Sequence, residues 1–336
     1  MNKKRVLSGM QTTGNLHLGN LLGALTNWVK LQEEYDCYYF AADWHALSSN
    51  YEDTGRLKEN LTDLAVNWLS AGLSPDKCVM FVQSLIPEHA VLHLLFSMIT
   101  PLPWLERVPS YKEKMEQVEN RDLHTYGFLG YPVLQAADIV LYKADFVPVG
   151  IDQLPHLELT RELVRRFHDI YKRHVFTEPQ PLMSETPKLP GVDGRKMSKS
   201  YNNAIYLSDP KEVMAHKIKN IVTDPARVKR TDPGDPEKCV AYSFHKVFTP
   251  AEEHPWIIEG CTQAKIGCVE CKKRLEGHIF ERIGPLVEKR QYWSAHSDEA
   301  LGALFDGTEK ARKVARATLS EAEQAMGLDV SGMLKR

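Results

Sequence analysis

The chain has 336 residues, of which 43% are hydrophobic and 26% charged, and its net charge is −2. This is the balance of a globular protein of about two domains, with enough chain to bury a core without staples, and it excludes a disordered or fibrous chain. The near-neutral charge excludes a global basic field, so any nucleic-acid contact rests on a local patch; no apolar run reaches the roughly 18 residues of a membrane span, and none follows the basic start Met1-Asn2-Lys3-Lys4-Arg5, so neither a signal peptide nor a membrane partner is expected and the expected location is the cytoplasm.

Val6-Leu7-Ser8-Gly9 predicts a short buried strand, followed by a turn bearing Gly14. From Leu18 to Leu31 apolar residues recur at helical spacing. Cys37 to Ala42 predicts a second strand, Leu57 to Leu73 a helix, and Val79 to Val82 a third strand. This alternation is βαβαβ, which implies a parallel sheet with right-handed crossovers. Phe146 to Gly150 predicts another strand, and Leu157 to Tyr171 an amphipathic helix. Beyond residue 201 the strand signal fades, and helices are expected over Lys211 to Val222, Trp256 to Gly260, Val269 to Arg290 and Thr308 to Met326. The expectation is an α/β domain first and a mostly helical region after it. Pro187 to Gly194 is the candidate flexible connector.

Two short strings carry chemistry. His17-Leu18-Gly19-Asn20 sits after strand one, where a helix begins. Helix N-termini expose unpaired N–H groups and attract phosphate, and a glycine there lets a ligand approach the backbone. The structural alternative is that Gly14 and Gly19 serve only a turn and tight packing. Lys196-Met197-Ser198-Lys199-Ser200 follows Gly194 and Arg195. Three cations and two hydroxyls on a Gly-flanked loop suit a polyanion, although a basic loop can also be merely solvated.

Together these strings resemble the HIGH and KMSKS signatures of class I aminoacyl-tRNA synthetases, the second letter for letter. The segments Ser8 to Gly14, Tyr131 to Asp138 and Val147 to Gln153 narrow the resemblance to the tryptophanyl-tRNA synthetase family, over Val6 to Met326. Two positions depart from the family pattern. Asn20 replaces the second His of HIGH, and Gln135 stands where many bacterial members have Met.

The resemblance implies a Rossmann-like nucleotide-binding catalytic domain over 1–200, a helical anticodon-binding region over 201–295, and C-terminal helices over 296–336 that pack back on the catalytic domain. It implies that Gln11, Thr12, Thr13, Gly19 and Asn20 form the ATP floor, and that Gly150, Ile151 and Asp152 hold the nucleoside. Leu189 would touch the adenine. His17, Lys196 and Lys199 would be catalytic, with Met197, Ser198 and Ser200 completing the ATP loop and Lys114 adding a triphosphate contact. Asp138 would accept the indole N–H, with Tyr131, Gln135, His45 and Gln153 around the tryptophan. ATP with Mg²⁺, L-tryptophan, tRNA(Trp) and a second copy of the chain are the implied cofactors and partners. Activation of an amino acid is attack by the substrate's own carboxylate on phosphorus, so the site needs positioning and charge stabilisation rather than a protein nucleophile.

Asp138 also admits a reading from the residues alone. It lies in the apolar stretch Ala136 to Leu141, where a bare carboxylate is costly to bury, so it either pairs with a buried base or receives a ligand donor. Six cysteines are present, and Cys239, Cys261, Cys268 and Cys271 crowd into the spacing C-x21-C-x6-C-x2-C. A reducing compartment argues against disulfides; a Cys₄ zinc site and a [4Fe–4S] cluster both use four thiolates. The resemblance favours the cluster, since a subset of the family carries one with nearly this spacing. Lys272, Lys273 and Arg274 form a local basic patch that suits tRNA phosphates. Rival functions are the tyrosine enzyme of the same fold, a non-catalytic RNA-binding or redox-sensing paralogue, and a generic nucleotidylyltransferase.

Overall fold

The computed structural model describes residues 3–109, 123–183, 189–198 and 201–328. Strand β1 (Arg5–Gln11) leads into a helical run that opens as α1 (Leu18–Asn20), passes through a π turn at Leu21–Leu25 and continues as α2 (Thr26–Glu34). Next come β2 (Asp36–Ala42), α3 (Asp43–Asn50), α4 (Leu57–Ala71), β3 (Cys78–Val82), α5 (Glu88–Ser97) and α6 (Leu102–Glu106). Then follow α7 (Tyr126–Leu141), β4 (Phe146–Val149), α8 (Leu154–Tyr171) and β5 (Gln180–Met183). Helices complete the chain: α9 (Lys211–Lys219), α10 (Val240–Phe248), α11 (His254–Thr262), α12 (Cys268–Ala295) and α13 (Ser297–Ala325).

The five strands form one parallel sheet in the order β3-β2-β1-β4-β5. Successive side chains of a strand face opposite sides, and both sides here are covered. Val6, Tyr39 and Met80 enter one apolar cluster, and Leu7, Phe40 and Phe81 the other. The chain order reverses at β1, with β2 and β3 on one side and β4 and β5 on the other. A crevice therefore opens beyond the carboxyl ends of β1 and β4, where open α/β sheets bind ligands.

Strand β5 was not expected. It has four residues, includes Pro181 and is only partly buried, too short for periodicity to register. Helix α5 escaped notice because apolar residues lie on several of its sides, which erases the amphipathic signal. The connector expected over Pro187 to Gly194 is corrected in its described part. Residues 189–194 enter a tight turn, with Gly191 N–H donating to Arg195 O at 2.7 Å, a bridge from Pro190 to Lys196, and Gly194 at φ 86°.

The first apolar cluster does not stop near residue 200. Leu275, Ile279 and Ile283 of α12 and Leu304 of α13 belong to it, and Arg290 Nε donates to Asn67 Oδ1 of α4 at 3.2 Å. Helix α13 lies against the edge strand β3. Gly307 sits where a Cβ would strike the Met80 carbonyl, and Val82 N–H donates to Thr308 Oγ1 at 3.1 Å. A helix thus covers an edge that would otherwise offer unpaired backbone groups to another strand. Among the described residues no helix is long and apolar enough to cross a membrane.

Candidate active site

The chain entering α1 is closed by a reciprocal cap. Asn20 N–H donates to His17 Nδ1 at 3.2 Å, and His17 N–H donates to Asn20 Oδ1 at 3.1 Å. Because Nδ1 accepts, the neutral imidazole carries its proton on Nε2. Asn20, the departure from HIGH, thereby supplies an acceptor that closes the cap. Gly19 packs so tightly that a Cβ there would lie 3.0 Å from the His17 ring and 3.5 Å from Met197 Sδ.

That proximity joins the two strings, Gly19 and Met197 being 178 positions apart in sequence. The chain after the second string runs antiparallel to the first. Leu18 N–H donates to Ile205 O at 3.0 Å, Leu207 N–H to Leu16 O at 2.8 Å, and Asn15 Nδ2 to Ser208 Oγ at 3.0 Å. Asn203, buried, holds the loop: Ser198 N–H donates to its Oδ1 at 2.8 Å, while its Nδ2 donates to Asp193 Oδ1 at 2.7 Å and Lys196 O at 3.1 Å. Sequence reading passed over Asn203 as one polar residue among several. Hydrogen bonds from Asn203 and Arg195, opposing a burial penalty, hold the Asp193 carboxyl below its ordinary range.

A cavity of about 690 Å³ opens at this junction. It is lined by Gln11, Thr12, Thr13, His17, Asn20, Met197 and Ser198 among others. Thr12 Oγ1 is buried there without a hydrogen-bond partner. An orphaned hydroxyl at a cavity wall suits a polar ligand, because leaving it unpaired is costly. Lys196 is exposed beside this cavity. Lys199, Ser200 and Lys114 lie outside the described residues. Gly150, Ile151 and Asp152 form the exposed turn at the end of β4, outside this lining. Leu189 is not part of this lining; it is buried in the core alongside Met197.

A second cavity, of about 350 Å³, lies in the crevice at the ends of β1 and β4 and shares Gln11 with the first. Its wall includes Gly9, His45, Tyr131, Gln135, Asp138, Gln153 and His156. Positions 131, 135 and 138 follow helical spacing, so α7 presents them on one face. Helix α3 partitions the two cavities, with His45 in one wall and Ala46 in the other.

Asp138 is fully buried and heavily engaged. His45 Nε2 lies 2.7 Å from Oδ2 and His89 Nδ1 2.6 Å from Oδ1, while Gln83 Nε2 donates to the two oxygens at 2.9 and 3.0 Å. Burial alone would push this carboxyl up; the hydrogen bonds from His45 and His89 more than offset it and hold the group below its ordinary range. Both readings of Asp138 therefore meet in one residue, which pairs with buried bases and also lines a cavity. Gln83 and His89 were invisible to sequence reading, since neither carries a motif.

All six cysteines are free thiols. Cys239 precedes α10, Cys261 lies in α11, and Cys268 and Cys271 share the first turn of α12. Burial, then the neighbouring Cys239, Cys261 and Cys268, pushes the Cys271 thiol up to about 12. Arg227 Nη1 donates to Cys261 Sγ at 3.7 Å, and His245 Nε2 lies 3.2 Å from Cys271 Sγ. Among the described residues no group of three or more His, Cys, Asp or Glu side chains is placed to hold a metal ion.

A parallel sheet that reverses at β1, with two signature strings meeting over its crevice, defines a class I aminoacyl-tRNA synthetase. A family model for tRNA synthetases class I (W and Y) matches residues 1–283. The chain is 51% identical over 326 residues to the tryptophan–tRNA ligase of Thermotoga maritima, covering 96% of this chain and 99% of that one. It is 44% identical over 328 residues to the Deinococcus radiodurans tryptophan–tRNA ligase, covering 96% and 98%. The crystal structure of the Campylobacter jejuni tryptophanyl-tRNA synthetase, complexed with ADP and tryptophan, superposes with a TM-score of 0.86 at 32% identity, covering 96% of this chain and all of that one. The chain belongs to the tryptophanyl-tRNA synthetase family.

Proposed function

We propose that this protein activates L-tryptophan with ATP, forming tryptophanyl-adenylate and pyrophosphate, and then transfers the tryptophan to tRNA(Trp). The observation that carries this reading is the pair of adjoining cavities: one bounded by both signature strings, the other closed by a buried, ionised Asp138, with Gln11 in the wall of each. An acceptor buried in an apolar wall favours an amino acid bearing an N–H at that depth. Phenylalanine lacks one and would leave the carboxylate without its substrate partner.

The residue roles proposed are those the family resemblance implies. Gln11, Thr12, Thr13, Gly19 and Asn20 floor the ATP site, and His17 offers its Nε2 proton to phosphate oxygen. Lys196 and Lys199 neutralise the departing pyrophosphate, with Met197, Ser198 and Ser200 shaping their loop. Gly150, Ile151 and Asp152 reach the ribose from the end of β4. Asp138 takes the indole N–H, with Tyr131, Gln135, His45 and Gln153 around the ring and amino acid. Mg²⁺ arrives on the ATP phosphates, as this ion usually does. No protein nucleophile is required, because the substrate carboxylate attacks phosphorus and pyrophosphate leaves.

The division of labour proposed is a catalytic unit over 1–200, an anticodon-binding helical unit over 201–295 and closing helices over 296–336. Arg274, ion-paired with Glu253, holds its guanidinium 4.9 Å over the exposed Trp256 ring, a cationic and aromatic pair suited to a single-stranded loop of tRNA. Val91 and Leu94 on α5 and Met98 at its C-terminal end are exposed at helical spacing, an apolar stripe that a second copy of the chain would cover in a homodimer. The cytoplasm, where tRNA is charged, is the proposed location.

Cys239, Cys261, Cys268 and Cys271 are proposed to hold one [4Fe–4S] cluster. In kind, the donor set matches the four thiolates such a cluster takes: four free thiols on neighbouring stretches of the helical region, with the Arg227 guanidinium at one of them. The resemblance to the subset of the family that carries such a cluster favours it over a Cys₄ zinc site. When bound, the cluster ties the loop before α10 to the start of α12.

Pyrophosphate exchange with ATP, measured across the aromatic amino acids, tests the reading. Exchange that depends on tryptophan is expected. Exchange driven by tyrosine, or by no amino acid, would overturn it.

A further inference from the structure

Asp138 draws donors from three elements, and they divide into two kinds. His45 lines the amino-acid cavity. Gln83 and His89 do not; both are fully buried behind the carboxylate, Gln83 just past β3 and His89 in the first turn of α5. Gln83 straddles both oxygens at 2.9 and 3.0 Å, which fixes the plane of the carboxylate. His89 Nδ1 lies 2.6 Å from Oδ1, and its Nε2 lies 2.8 Å from Tyr142 Oη. Burial raises Tyr142 well above its ordinary range, so its hydroxyl stays protonated and donates to Nε2. The His89 proton then sits on Nδ1, directed at Asp138. A chain of donors thus runs from Tyr142 through His89 to the carboxylate, entirely behind the cavity wall.

We propose that Gln83 and His89 are positioning residues for substrate selection: they fix the plane and the ionised state of the Asp138 carboxylate, leaving its cavity-facing edge, shared with His45, for the indole N–H. This deepens the tryptophan reading and rests on it. The titratable groups facing Asp138 are His45 from α3, His89 and His93 from α5, and Tyr142 after α7, with Glu88 beyond Tyr142. Among the described residues, only His45 and His89 place a ring nitrogen on its oxygens. Removing the His89 donor takes one of the hydrogen bonds that hold the carboxylate and raises its affinity for a proton.

The test is pyrophosphate exchange by the full-length protein with L-tryptophan and with β-(3-benzothienyl)-L-alanine, in which sulfur replaces the indole N–H. For His89→Leu, kcat/KM for tryptophan is expected to fall about tenfold, mostly through KM, while the analogue changes little, since one buried charge-assisted bond is lost. The acid limb of the tryptophan kcat/KM profile moves to higher pH. His89→Asn, whose amide reaches the place of Nδ1, restores both. Gln83→Met, a variant on another element, shifts the same ratio and supplies the measurement if His89→Leu does not fold. Variants that keep the parent's ratio of tryptophan to analogue and its acid limb would overturn the proposal, and a loss shared equally by both substrates would reduce these residues to ordinary packing. A parent protein whose exchange does not depend on tryptophan would instead overturn the function from which the proposal starts, and the proposal with it.

Discussion

His17 and Asn20 hold each other: each backbone N–H is taken by the other's side chain, at 3.1 and 3.2 Å. The exchange satisfies two donors that a helix start leaves open and fixes which imidazole nitrogen carries the proton. Asn20→Ala should therefore lower stability by about 1 kcal/mol, the usual worth of such a cap. It should also lower kcat for adenylate formation, because His17 loses its fixed tautomer. Chemical denaturation and single-turnover kinetics check the two effects; Asn20→Asp, which keeps the acceptor, should preserve the stability.

Asn203 binds Ser198 N–H and Lys196 O from within the core. Asn203→Ala should free the signature loop and raise the KM for ATP, with kcat falling as well. Lys199→Ala should differ. A cation aimed at charge that develops on the leaving group acts in the transition state, so kcat falls with ATP binding nearly unchanged. Steady-state kinetics of both variants separate the two behaviours.

Cys268→Ser should destabilise the helical region and impair tRNA charging while tryptophan activation largely survives, because metal–thiolate bonds fold such loops and none of the four cysteines lines the ATP cavity. Anaerobically purified parent should be brown, with iron and sulfide near four each per chain as the cluster formula requires. Colourless protein with about one zinc per chain would install the Cys₄ zinc site in its place.

Asp138 should also leave a signature in acid stability. Its folded carboxyl titrates below the ordinary value of 3.8, so the unfolded chain takes up the proton first as pH falls. Its contribution is fully present above that value and is lost as pH drops through the folded one. Asp138→Asn should thus be less stable than the parent near neutrality, with the gap closing below about pH 4. An Asn amide cannot accept from all three donors, and kcat/KM for tryptophan should fall by the equivalent of about 1.5–3 kcal/mol. Denaturation midpoints at several pH values, and exchange kinetics, measure both.

The sequence by itself determined the order of β1, β2, β3 and β4 and the two signature strings, because these are local: apolar periodicity and exact residue order do not depend on what packs against them. It also named Asp138, since a carboxylate in an apolar helix conflicts with its neighbours whatever the fold. Only the tertiary structure decided what surrounds that carboxylate. Gln83 and His89 reach it from separate elements, 55 and 49 positions away, and no local pattern announces a donor that works across such a span. The same holds for Gly19 against Met197, and for Thr308 on the edge of β3. Local preferences fix elements and signatures; which side chains share a cavity follows from how the sheet orders its strands and how the helices close over it.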